Sequence, residues 1–165
     1  MVRYKDYITE VPNFPIKGVN FKDISPLLLD GDAFKGSIVE LGGMVKLPDY
    51  WVGIDARGFI LASALAVYFG GGVIMCRKSG KLPGKKVTIS YRTEYSSDKL
   101  VMHTGSGDVV IVDDVLATGG TLRGANLLSI AAGYNIIGNL TLLDLKYVPR
   151  TEDFDLNVRS LIEYE

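Results

Sequence analysis

Apolar residues fall along this chain in two rhythms. After Gly31-Asp32, the residues Phe34, Ile38, Leu41 and Val45 recur at the spacing of one helical face, which predicts an early amphipathic helix with Asp32 at its N-cap. Four later runs are apolar without alternation: Trp51-Val52-Gly53-Ile54, Val73-Ile74-Met75-Cys76, Val109-Val110-Ile111-Val112, and Ile136 to Leu145. Continuous apolar runs predict strands covered on both faces. Between them, Phe59 to Tyr68 and Thr121 to Ala132 read as helices, ended by Gly70-Gly71-Gly72 and by Gly133, where a left-handed C-cap is favoured. The alternation of strand and helix predicts an α/β domain with a central, mostly parallel sheet flanked by helices.

One segment breaks the rhythm. From Lys78 to Asp98 the chain is polar and carries glycine, proline and several cations, although Val87 to Tyr91 and Leu100 to Met102 can pair as a hairpin. A long polar excursion inside a compact domain predicts a lid, assigned to residues 77–99. The length of 165 residues and a hydrophobic share of 47% suit one domain over residues 1–165. Eighteen Lys and Arg against 19 Asp and Glu leave a net charge of -1. That balance supplies no field for a nucleic-acid backbone or an anionic membrane, so neither is expected as a partner and any phosphate must be held locally. The stretch Phe59 to Phe69 falls short of the roughly 20 apolar residues that span a bilayer and is expected to be a buried helix. A single cysteine, Cys76, and an N-terminus without a signal-peptide core point to a cytoplasmic setting. Cys76 and Trp51 read as core residues and His103 as the end of a strand, with no zinc site.

The strongest chemical signal is the run Val109 to Val112 leading into Asp113-Asp114, then Val115-Leu116-Ala117-Thr118-Gly119-Gly120-Thr121 and a helix. A strand that delivers the chain to a helix start creates an anion site, because the first N–H groups of a helix are unpaired and its dipole is positive there. Gly119 and Gly120 let the backbone approach a phosphate, and the hydroxyls of Thr118 and Thr121 add donors. A side chain at Gly119 is expected to fill the phosphate's place and leave the fold intact. Two carboxylates beside a phosphate need another task; they suit sugar hydroxyls, or a magnesium ion reached directly or through water. A glycine pair alone would mark only a turn, but the full sequence of strand, acidic pair, Ala-Thr-Gly-Gly-Thr and helix describes a ribose 5-phosphate receptor. No lysine follows the glycines, so it is not a nucleoside-triphosphate P-loop. Asp55-Ala56-Arg57-Gly58 also follows a strand and opens a helix, and so offers a second anion site.

The acidic pair with its glycine-threonine loop resembles the signature of the type I phosphoribosyltransferases. Over nearly the full length the chain resembles the adenine-specific members of that family, through FPIKGVNFKDISPLL at residues 14–28, GIDARGF at 53–59, RKSGKLPG at 77–84, YRTEY at 91–95 and LIEYE at 161–165. The resemblance implies the type I phosphoribosyltransferase fold, with a small hood over residues 1–30 and a mobile lid hairpin. It implies transfer of the 5-phosphoribosyl group from 5-phosphoribosyl-1-pyrophosphate to adenine, giving AMP and pyrophosphate, in a homodimer. Mg2+ would travel with the donor, without a direct protein ligand but with Asp113 in reach through water.

Residue by residue, the resemblance assigns ribose 5-phosphate to Asp113, Asp114, Ala117, Thr118, Gly119, Gly120 and Thr121. Pyrophosphate falls to Asp55, Ala56 and Arg57, where an unusual backbone is expected at the Asp55-Ala56 step, and to Arg77, Lys81 and Tyr95. Glu94 takes the position of an acid that moves the proton from the attacking purine nitrogen. Phe21 would stack on the base while the backbone around Asn20 and Lys22 reads its edge; on pattern alone Phe21 fits a core aromatic equally well. The chain departs from the family at Asn20, where a small apolar residue is usual, at Lys22, where arginine is usual, and in a shorter connection over residues 103–108. Two alternatives stay open: transfer to another base, and a non-catalytic sensor of the same donor.

Overall fold

The computed structural model describes residues 2–92 and 97–165. Strands β1 (Thr9–Pro12) and β2 (Asn20–Asp23) form a separate antiparallel ribbon and are followed by α1 (Ser25–Leu29) and α2 (Gly31–Gly42). Then come β3 (Tyr50–Ile54), α3 (Arg57–Phe69), β4 (Gly72–Lys78), the hairpin β5 (Lys86–Arg92) and β6 (Ser97–His103), β7 (Asp108–Leu116), α4 (Gly120–Ala132), β8 (Asn135–Leu145) and β9 (Arg159–Tyr164). Seven strands make one sheet in the order β5-β6-β4-β3-β7-β8-β9. Strands β4, β3, β7, β8 and β9 run parallel, and β6 and β5 join antiparallel at one edge. This is the mostly parallel α/β sheet expected from the alternation of elements.

The two faces of the sheet carry two cores. Helices α2 and α3 cover one face, where Leu41, Leu61 and Leu65 meet Trp51, Val110, Val112 and Leu140. On the other face Leu122, Ala125 and Leu128 of α4 meet Val52, Ile54, Ile111 and Cys76. Successive residues of a strand point to opposite faces. β3 and β7 are therefore buried on both sides, which is why they read as unbroken apolar runs.

Several expectations are corrected. The N-cap of α2 is Asp30, whose Oδ1 accepts from the Ala33 N–H at 2.9 Å; Asp32 lies in the first turn, too late to reach that donor. β4 is not buried on both faces: Ile74 and Cys76 point inward, while Val73 and Met75 on the other face are exposed. α3 is not wholly buried, since Ile60, Val67 and Tyr68 are exposed. β7 runs on through Asp113 and Asp114 to Leu116, because the long partner β8 continues the pairing to Leu116↔Asp144. The acidic pair therefore sits on a strand end and not in a loop. The hairpin forms in the expected pairing, with Val87 opposite Met102 and Ile89 opposite Leu100, and His103 ends β6. Among the described residues no helix is long and apolar enough to cross a membrane.

Candidate active site

The topology chooses the place. From β3 the chain crosses through α3 to β4 on one face, while from the neighbouring β7 it crosses through α4 to β8 on the other. Adjacent parallel strands whose connections leave in opposite directions open a crevice at their carboxyl ends, where α/β proteins bind ligands. A cavity of about 380 Å³ lies there, lined by Asp55, Ala56, Arg57, Asp113, Asp114, Ala117 and Thr121 among others. A recess of about 80 Å³ shares Asp113, Ala117 and Thr121 with it and adds Thr118 and Gly119. Of the candidate ribose, phosphate and pyrophosphate residues, Asp55, Ala56, Arg57, Asp113, Asp114, Ala117, Thr118, Gly119 and Thr121 are thus brought together, while Gly120 faces a different groove, formed with Arg123 and Thr151.

Gly119 is the N-cap of α4, with φ +87° and no side-chain cap. The left-handed turn points the first N–H groups of α4 at the recess, which is the arrangement an anion needs. A Cβ on Gly119 would run into the Phe154 ring rather than fill the recess, which corrects the expectation that a side chain there takes the phosphate's place without disturbing the fold. The outer side of the loop is tied down by Arg150, which donates to the Ala117 carbonyl and pairs with Asp144, and by the Thr151 N–H, which donates to the Thr118 carbonyl at 2.9 Å.

Asp113 and Asp114 are consecutive on β7 and so face opposite sides of the sheet. Asp114 turns toward α3, where Arg57 Nε lies 2.7 Å from its Oδ2. The approach is off the N–H axis, so the buried Oδ2 has a charge partner and no hydrogen-bond donor. Asp113 Oδ1 accepts from the Asp114 N–H at 2.9 Å. Burial first, and then the charge of Asp114, push the Asp113 carboxyl well above the usual carboxylate range; burial raises Asp114 too, against the pull of Arg57. An orphaned carboxylate oxygen beside a second carboxylate calls for donors, and a pair of ribose hydroxyls supplies them. The same pair suits magnesium through water. Among the described residues no group of three or more His, Cys, Asp or Glu gathers that could hold a metal ion.

Arg57 reaches Asp114 because Gly58 lets the first turn of α3 touch β7: a Cβ there would stand 2.7 Å from the Val112 carbonyl oxygen. The preceding Asp55-Ala56 peptide is cis, the unusual backbone expected there. Arg77 Nε and Lys81 Nζ stand 3.7 Å and 3.6 Å from Asp55 Oδ2, so both candidate pyrophosphate cations gather at this turn. Arg77 Nη1 also donates to the Lys81 carbonyl at 2.9 Å.

Of the base candidates, only Phe21 turns its side chain to the site, with the Arg57 guanidinium 5.0 Å from its ring centre. Alternation along β2 sends the side chains of Asn20 and Lys22 to the other face, where both meet Glu10. Glu94 and Tyr95 lie outside the described residues. Tyr91, Lys78 and Asp98 line the cavity without having been singled out from the sequence, and Arg150 and Asp144 support the loop from about thirty residues away in the chain. Nothing local in the sequence marks Arg150 or Asp144.

Comparison with known proteins agrees with this geometry. The family described as phosphoribosyl transferase domain matches residues 46–155. An adenine phosphoribosyltransferase of Rhodospirillum rubrum is 41% identical over 167 residues, covering 98% of each chain. The solved structure of adenine phosphoribosyltransferase from Thermoanaerobacter pseudethanolicus superposes with a TM-score of 0.89 at 36% identity, again covering 98% of each chain. That of the Saccharomyces cerevisiae enzyme, complexed with an imino-altritol bisphosphate and adenine, gives 0.85 at 30% identity over 96% of each. Fold and site thus define a type I phosphoribosyltransferase. Within that class the chain belongs to the adenine phosphoribosyltransferase family.

Proposed function

We propose that this chain transfers the 5-phosphoribosyl group of 5-phosphoribosyl-1-pyrophosphate to adenine, forming AMP and pyrophosphate in purine salvage. The carrying observation is the single crevice in which the acidic pair, the Gly119 loop and Arg57 converge beside Phe21. The bond from the anomeric carbon to pyrophosphate breaks as the bond to the purine nitrogen forms, and positive charge builds on the sugar between them. The protein's task is to hold the sugar by its hydroxyls and 5-phosphate and to neutralise the leaving group. Asp113 and Asp114 take the hydroxyls, residues 117–121 the phosphate, and the Asp55–Arg57 turn with Arg77 and Lys81 the pyrophosphate. Magnesium on the pyrophosphate adds charge neutralisation, with Asp113 in reach through water.

Phe21 covers one face of adenine, and the outer edge of β2, unpaired by any strand among the described residues, offers backbone donors and acceptors to its rim. Glu94 accepts the proton released by the purine, and Tyr95 and the 77–99 hairpin close over the site against water. Residues 1–30 act as the hood of one domain spanning residues 1–165. A homodimer is supported by α3, which carries no charge after Arg57 and yet exposes Ile60, Val67 and Tyr68. The unpaired, buried Cys76 suits a cytoplasmic setting. The test is turnover with magnesium, the sugar donor and a panel of adenine, hypoxanthine, guanine, xanthine and pyrimidines. Adenine is expected to give the highest kcat/KM; a higher value for another base would reject the acceptor, and donor binding without turnover on any base would reject the enzyme.

A further inference from the structure

The ribbon that presents Phe21 belongs to a separate two-stranded sheet, and no strand pairing joins it to the large one. Two strands alone are marginally stable in water. Ile8 and Ile24, just outside the ribbon, sink into the core and fix its ends. Between those ends the register places Glu10 opposite Lys22 and Val11 opposite Phe21, so Lys22 and Phe21 leave opposite faces. Lys22 is only 4% exposed. Its Nζ lies 2.8 Å from Glu10 Oε1 and 4.2 Å from the ring centre of Tyr164, a buried residue of the terminal strand β9. Asn20 Nδ2 holds the other oxygen of Glu10 at 2.9 Å. A buried ammonium is costly without partners, so a carboxylate on one side and an aromatic face on the other fix where it sits.

We infer that the Lys22 side chain is a positioning group, a latch that docks β2 on Tyr164 of β9 and thereby sets Phe21 over the base without itself touching the base. The inference rests on the proposed transfer to a base only for its kinetic consequence. The latch depends on the cation, and arginine supplies the same charge and an equally good partner for an aromatic face.

Two measurements on the full-length protein test it. In the first, amide hydrogen exchange of residues 9–23 is followed without substrates. Lys22→Met is expected to speed exchange there about tenfold, the scale of losing one desolvated cation–π contact, with β3 and β7 unaffected and Lys22→Arg close to wild type. In the second, KM for the base is expected to rise about tenfold in Lys22→Met, against less than about threefold for the sugar donor, with Lys22→Arg restoring it. Unchanged ribbon exchange, equal movement of both KM values, or failure of Lys22→Arg to restore them would each overturn the latch. If Lys22→Met does not fold, Tyr164→Leu removes the contact from the other side; because Lys5 Nζ also lies 4.2 Å from the centre of that ring, Lys5→Met is measured beside it, and ribbon exchange as fast in Lys5→Met as in Tyr164→Leu would overturn the latch. Should the wild-type protein prefer another base, the acceptor assignment falls while the exchange experiment still decides the latch.

Discussion

Arg57 Nε stands 2.7 Å from Asp114 Oδ2, joining the first residue of α3 to the carboxyl end of β7. The same guanidinium lies 5.0 Å from the centre of the Phe21 ring. Arg57 therefore sits where the three proposed subsites meet: pyrophosphate beside the Asp55 turn, ribose at the acidic pair, and base beside Phe21. A planar, delocalised cation can pair with a carboxylate edge-on while stacking face-on over a ring, which an ammonium cannot do in the same way.

Replacing Arg57 by lysine is expected to weaken the sugar donor at least tenfold and to raise KM for the base, since charge is kept but the stacked geometry is lost. Titration calorimetry with the donor and steady-state kinetics with the base check the two halves. Donor affinity within about twofold of wild type would show that Arg57 serves only to neutralise Asp114.

The pH dependence follows from Asp113. Its carboxyl is raised well above the ordinary 3.8, so at a pH between the ordinary value and the raised one the unliganded protein keeps a proton there that the unfolded chain has lost. The stability this group contributes is full below the ordinary value and is lost as pH rises through the raised one. In the proposed complex, ribose hydroxyls would donate to the ionised carboxylate and draw its pKa down again. Donor binding is expected to release a proton within that window and to tighten as pH rises through it. Calorimetry in two buffers of different ionisation enthalpy measures the release. Asp113→Asn should bind the donor more weakly and show no such proton; an unchanged release would assign the linkage elsewhere.

Much of the site was legible because its residues are contiguous. Asp113 to Thr121 read as a strand, acids and an anion-binding helix start, and the sheet order puts them beside Asp55 to Arg57. What the sequence could not display were relations between distant segments. Arg150 holds the Ala117 carbonyl from across the chain, and Phe154 blocks the space above Gly119, yet neither carries a local pattern that says so. The apolar run Val73 to Cys76 hid an exposed face, since periodicity reports what a strand could bury and not what is present to cover it. The resemblance gives the backbone around Lys22 to the base rim; where the Lys22 side chain goes is shown only by the strand pairing, which sets it against Glu10.

Glu94 carries a separate expectation. General acid–base assistance is worth about 100-fold to 10,000-fold, so Glu94→Gln should lower kcat by that range at saturating donor and adenine while changing binding less. Glutamine keeps the shape and still accepts a hydrogen bond, but it cannot take the purine proton. A raised KM for the donor with kcat within about threefold of wild type would make Glu94 a lid residue and remove it from the chemistry.

Gly119 separates strain from ligand contact. Its φ of +87° is left-handed, which costs an ordinary residue roughly 1–2 kcal/mol, and its Cβ direction points into the Phe154 ring. Gly119→Ala is therefore expected to destabilise the folded protein itself, lowering Tm by about 2–8 °C for a chain of this size. Donor affinity should fall as well, because the turn that aims the first N–H groups of α4 at the phosphate is the turn being strained. The two causes come apart in a double-mutant cycle with Phe154→Ala. Phe154→Ala alone loses packing against the α4 core, but in the Gly119→Ala background it also removes the obstruction, so the combined loss of stability should be smaller than the sum of the single losses. Donor affinity should recover less than stability does, since the left-handed strain remains after the ring is gone. Thermal melts of the four proteins and calorimetry with the donor read both cycles, and strictly additive melting losses would show that the Phe154 ring moves aside freely and that backbone conformation alone demands glycine here.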